Sequence, residues 1–184
     1  MVTATTAAPP SRGELVRLLI DSGAVRFGEF TLTSGERSDV YIDVKRAWTD
    51  PARLARLAGA LVARAGSEPR LAGMELGAVP LVVAVALETG RPYVVLRKAP
   101  KEHGTRQAFE GELPAGERVL LLEDATTTGG TTMRSIEIIR AAGALVDRTV
   151  TVVDREAGAT ERLAAAGVRL EALVTLSELR SAAT

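Results

Sequence analysis

The chain has 184 residues, 46% of them hydrophobic and 25% charged, with Lys plus Arg (23) balanced by Asp plus Glu (23). That length fits one domain with a substantial core. The composition excludes a wholly disordered chain and a collagen-like repeat, and the zero net charge disfavours a globally basic nucleic-acid binder. With no cysteine and a single histidine, His103, disulfides, thiolate nucleophiles and multi-histidine metal sites are excluded, and a reducing cytoplasm is the expected compartment. Residues 1–10 are Thr/Ala/Pro-rich and read as a loose tail without the regions of a signal peptide. Ser11-Arg12-Gly13-Glu14 resembles a capping box, which predicts a helix ending near Ser22-Gly23. Phe27 to Leu32 and Val40 to Val44 read as short strands around the turn residues Ser34-Gly35-Glu36. Asp50-Pro51 opens a helix running to about Ala65.

Strands and helices then alternate. Strands are expected over Leu71–Met74, Tyr93–Arg97, Arg118–Asp124, Leu145–Asp154 and Val168–Val174. Helices are expected over Pro80–Glu88, Gly130–Ala142 and Ala159–Ala166. This order predicts an α/β fold with a mainly parallel sheet flanked by helices. The apolar run Val119-Leu120-Leu121-Leu122 fits a strand buried on both faces. The longest apolar stretch, Gly77 to Leu87, falls well short of the ~20 residues of a membrane helix. Residues 98–117 form a long connection without periodicity, the usual mark of a lid or binding loop.

The strongest chemical signal is Glu123-Asp124-Ala125-Thr126-Thr127-Thr128-Gly129-Gly130-Thr131-Thr132. A buried strand ends in two acids, and a hydroxyl- and glycine-rich turn leads into a helix. Free N–H groups at a helix start attract an anion such as phosphate. Glycines let the backbone approach it. The acids suit sugar hydroxyls or a hydrated Mg²⁺. No Gly-Lys-Ser/Thr follows, so this is not a Walker A loop, and the G-x-G-x-x-G spacing of a Rossmann fingerprint is also missing. A plain helix cap is the competing explanation, but a cap needs only one hydroxyl. Together the cradle and the acids point to a ribose phosphate.

The Glu123 to Thr131 segment resembles the phosphoribosyl-pyrophosphate (PRPP) motif of type I phosphoribosyltransferases. Four more segments resemble the orotate-using branch of that family. They are Phe30 to Gly35 with Ser38 and Tyr41-Ile42-Asp43; Glu75 to Pro80; Arg97 to Gly104; and Val152 to Glu156. The resemblance implies the type I phosphoribosyltransferase fold in one domain, with a small N-terminal hood. It implies transfer of a 5-phosphoribosyl group from PRPP to orotate, assisted by Mg²⁺ held mainly by substrate oxygens. It also implies a homodimer with a mobile catalytic loop (98–117) shared across the interface, and no nucleic-acid or membrane partner.

Residue by residue, the resemblance implies that Arg97, Lys98, Lys101, His103 and the 123–131 segment (Glu123, Asp124, Ala125, Thr126, Thr127, Thr128, Gly129, Gly130 and Thr131) bind PRPP. Thr132 is expected to add a further hydroxyl to the cradle. Lys101 and Asp124 are the expected catalytic groups, and Arg155 with Thr127 is expected to hold orotate. Many relatives carry lysine where this chain has Thr33, and Lys45 is the candidate replacement charge. Around the loop, Arg97, Lys98, Lys101 and Arg106 outnumber Glu102, a local excess suited to a departing pyrophosphate. An arginine fork suits a planar carboxylate, although an ion pair among Asp154, Arg155 and Glu156 is an alternative. The rival readings are a phosphoribosyltransferase for another base and a non-enzymatic regulator that senses the donor.

Overall fold

The computed structural model describes residues 8–31, 35, 37–99 and 108–183. Helix α1 (Arg12–Asp21) begins as the capping box requires. Ser11 Oγ accepts from the Glu14 N–H at 3.3 Å, and the Ser11 N–H donates to Glu14 Oε2 at 2.8 Å. Strands β1 (Val25–Thr31) and β2 (Arg37–Ile42) pair antiparallel as a separate two-stranded hood. A short helix α2 (Lys45–Trp48), unmarked by any capping side chain, follows before α3 (Pro51–Val62). Asp50 caps α3 by accepting from the Arg53 N–H at 2.9 Å.

The main sheet contains β3 (Arg70–Met74), β4 (Tyr93–Leu96), β5 (Phe109–Glu110), β6 (Val119–Thr126), β7 (Arg148–Asp154) and β8 (Arg169–Thr175). Its order is β5-β4-β3-β6-β7-β8, parallel except for β5 on the edge. The expected uninterrupted connection over 98–117 is therefore broken. Phe109 and Glu110 pair with Leu96 and Val95, and edge pairing at a turn has no periodicity to betray it.

Helices cover both faces. Leu57 and Leu61 of α3, with Leu81, Val82 and Val85 of α4 (Val79–Thr89), pack on Leu71, Leu120 and Leu122. On the other face, Ile136 and Ile139 of α5 (Gly130–Ala141) and Leu163 of α6 (Ala159–Ala165) pack with Val119 and Leu121. Alternate residues of β6 thus serve opposite cores, which explains its continuous apolar run. A last helix, α7 (Leu176–Ala183), was not expected from the sequence. It buries only Leu179, and its Arg180 grips Asp39 of the hood through two hydrogen bonds of 2.6 and 2.7 Å.

The chain runs β3, β4, β5 toward one edge, then returns to lay β6, β7 and β8 on the other side of β3. The loops after β3 and β6 therefore diverge to opposite faces at adjacent strands. Such a switch point at the carboxyl ends of parallel strands opens a ligand crevice. Both the acid pair and the Thr/Gly run sit there.

Candidate active site

The Thr/Gly run forms the β6–α5 turn. Gly129 adopts φ +74°, and a Cβ there would lie 2.7 Å from Leu163 Cδ1, so glycine is demanded by both conformation and packing. No side chain caps the N-terminus of α5. Thr127, Thr128, Gly130 and Thr131 are exposed around that free helix end, which leaves N–H groups and hydroxyls open to an anion. Ala125 is half-buried and Thr126 is buried beneath them. Thr132 departs from expectation. It is buried, and with Ser135 its hydroxyl faces the Glu123 carboxyl instead of the crevice, because the first turn of α5 rotates it toward the core.

The two acids occupy unlike surroundings. Glu123 is 3% exposed, and its Oε1 has no hydrogen-bond partner. Burial, reinforced by the adjacent Asp124 charge, raises its pKa to about 8, against the opposing pull of Thr132, Ser135 and Lys98. Asp124 is half-buried and lies against the backbone of Gly77, where a Cβ would approach its Oδ2 to 2.1 Å. A side chain at Gly77 would have to displace the Asp124 carboxylate, so glycine lets the β3–α4 loop close on the acid as it stands. Lys45, held by Asp43 at 2.6 Å, is drawn to a raised pKa first by that contact and further by Asp124 and Tyr41. The candidate replacement charge therefore stands close enough to Asp124 to feel its charge.

Arg155 follows β7, and its N–H donates to the Thr126 carbonyl at 2.9 Å. Its Nε is buried without a partner. The alternative ion pair does not form. Asp154 accepts instead from the Glu156 N–H at 2.9 Å, and Glu156 accepts from the Ser177 N–H at 2.7 Å. Arg155 is left with an unfilled hydrogen-bonding demand beside the Thr/Gly turn.

Arg97 pairs with Glu110 at 2.9 Å, so β5 holds it along the sheet edge. The Lys98 N–H donates to Glu75 Oε1 at 2.8 Å, joining the start of the long connection to the β3–α4 loop. Lys101, His103, Arg106, Thr33 and Ser34 lie outside the described residues. Concavities of about 450 Å³ beside α5 and β5, and about 460 Å³ at the opposite sheet end among Arg118, Arg148 and Arg169, lie away from this crevice.

A family model described as "Phosphoribosyl transferase domain" matches residues 50–170. The chain is 51% identical over 165 residues to the orotate phosphoribosyltransferase of Methanoculleus marisnigri, covering 90% of this chain and 96% of that one. The chain belongs to the orotate phosphoribosyltransferases. Solved structures agree. The orotate phosphoribosyltransferase of Aeropyrum pernix superposes with a TM-score of 0.82 at 35% identity, covering 92% of this chain and 97% of that one. That of Mycobacterium tuberculosis in complex with 5-phospho-α-D-ribosyl 1-diphosphate superposes with a TM-score of 0.75 at 30% identity, covering 93% and 99%.

Within this orotate phosphoribosyltransferase fold, one residue at the crevice carries no sequence signal. Arg162, on α6, donates to the Thr128 carbonyl at 3.4 Å. Only the packing of α6 against Gly129 brings it there.

Proposed function

We propose that this chain transfers the 5-phosphoribosyl group of PRPP to orotate, giving orotidine 5′-monophosphate and pyrophosphate in de novo pyrimidine synthesis. One observation carries the reading. An uncapped helix start in a Thr/Gly turn adjoins two strand-end acids and an unpaired, half-buried arginine. Phosphate, ribose hydroxyls and a planar carboxylate each find a complementary group there.

In this reading the exposed Thr127, Thr128 and Thr131 hydroxyls and the α5 N–H groups hold the 5′-phosphate. Asp124, which meets the crevice, receives the ribose hydroxyls; Glu123, expected to share them, is sealed beneath α5 out of their reach. The half-open Asp124 faces positive charge that develops at C1′ as the bond to pyrophosphate breaks and the bond to the orotate ring nitrogen forms. Arg155 orients the orotate carboxylate through its fork, with Thr127 beside it. Lys101, with Arg97, Lys98 and His103, offsets charge on the leaving pyrophosphate. Closure of the connection between β4 and β5, the part of the expected 98–117 loop that precedes β5, keeps water from the activated sugar.

Mg²⁺ fits as a cation brought with the donor. Asp124 presents a partly open carboxylate in the crevice, and magnesium ordinarily takes one or two carboxylates beside phosphate oxygens and water. When bound it neutralises diphosphate charge. The protein acts as a cytoplasmic homodimer in this reading, with the loop of one subunit serving its partner's site.

The test is a spectrophotometric assay with orotate, PRPP and Mg²⁺ against a metal-free control. Metal-dependent loss of orotate with matching pyrophosphate release is the expected result. Intact PRPP binding without orotate loss would turn the reading toward another base or a donor sensor, and a base panel would separate those.

A further inference from the structure

Helix α6 forms one wall of the phosphate turn and contributes a cation to it. Ala159 and Leu163 press on Gly129, which fixes α6 against the turn. Arg162 sits between them on the exposed side. Its Nη1 reaches the Thr128 carbonyl at 3.4 Å, and a Cβ on Gly130 would lie 3.9 Å from the same nitrogen. The guanidinium therefore borders Thr128 and Gly130, the residues on either side of the Gly129 cap of α5.

A cation suits the Thr128 carbonyl. A peptide whose N–H side faces an anion turns its carbonyl away, and an unmatched carbonyl near a dianion is repulsive. A cation on that oxygen holds the peptide plane and places positive charge behind the cradle. Among the described residues Arg162 pairs with no carboxylate, so its charge is not spent elsewhere.

We propose that Arg162 is a positioning residue for the 5′-phosphate of the donor. It acts through the Thr128 carbonyl and tightens the cradle for a doubly charged phosphoryl group. The proposal rests on the assignment of this turn to PRPP.

Kinetics of Arg162→Ala, Arg162→Gln and Arg162→Lys with both substrates test it. For Arg162→Ala the KM for PRPP is expected to rise about five- to ten-fold, while kcat and the KM for orotate stay within about two-fold. Arg162→Lys should recover most of the loss, because it restores a cationic donor. Arg162→Gln should recover less, because it restores the hydrogen bond alone. Calorimetric titration of PRPP without orotate should show the same order of affinities. An unchanged PRPP affinity in Arg162→Ala overturns the proposal. So does an equal loss for both substrates accompanied by earlier thermal unfolding, which would mark a structural role. If wild-type protein binds PRPP but consumes no orotate, the orotate reading fails while calorimetry still decides on Arg162. If it binds no PRPP, both fail.

Discussion

Glu123 and Asp124 are neighbours in sequence and opposites in environment. Glu123 is sealed beneath α5, and Asp124 meets the crevice. Burial raises the Glu123 pKa from 4.5 to about 8. Between those values the folded protein keeps a proton that the unfolded chain has released. Stability without ligand therefore falls as pH rises through that window and levels off above it. Glu123→Gln removes this penalty. Its thermal midpoint should exceed that of the wild type at pH 8, and the gap should shrink toward pH 5. A gap independent of pH would show that Glu123 is ionised throughout. Arg155 presents the reverse case, a charged group whose buried Nε awaits a partner. Its acidic neighbours are occupied by a backbone N–H and by Ser177.

At the scale of elements, the β6–α5 turn shows how local backbone and tertiary packing act together. Gly129 must be glycine for its φ of +74° and again for the closeness of Leu163. Gly129→Ala should cost about 1–3 kcal/mol, from the left-handed backbone and the displaced leucine. For a chain of this size that lowers Tm by roughly 2–4 °C per kcal/mol. PRPP affinity should fall more steeply than orotate affinity, because the phosphate turn is what moves. Unaltered Tm and affinity would show that the turn tolerates a side chain. The same turn explains why Thr132 faces the core. A hydroxyl-rich run names candidate donors, but helix rotation turns Thr132 inward to Glu123 and leaves Thr131 outward. Capping chemistry was legible in advance at Ser11 and Asp50, because each cap is written within four consecutive residues. Helices α2 and α7 were not. Each is short and relies on contacts elsewhere, such as the grip of Arg180 on Asp39.

At the scale of the whole molecule, the strand order decides where the site lies. With β3 and β6 adjacent and their connections leaving on opposite faces, the 75–78 and 127–129 loops must flank one crevice. Lys45, at the start of α2 just beyond the hood, reaches the same end, and Arg180 fastens the hood to α7. If the proposed dimer shares its loop, mixing a Lys101→Ala chain with an Arg155→Ala chain should restore part of the activity. A mixed dimer pairs one defective loop with one defective orotate site and leaves the other site intact. Purified heterodimer without recovery would place each loop in its own subunit's site.

The sequence by itself determined the order and type of most elements, and the placing of two acids and a hydroxyl- and glycine-rich run between a buried strand and a helix. These depend on periodicity, caps and residue types close together along the chain. Tertiary structure alone decided that Glu123 is sealed while Asp124 is open, that Arg155 keeps a free nitrogen, that β5 interrupts the long connection, and that Arg162 stands behind the Thr/Gly turn. Those facts depend on which strands lie side by side and how a helix is rotated onto the sheet. Burial and charge partners follow from that packing, and no local pattern encodes it.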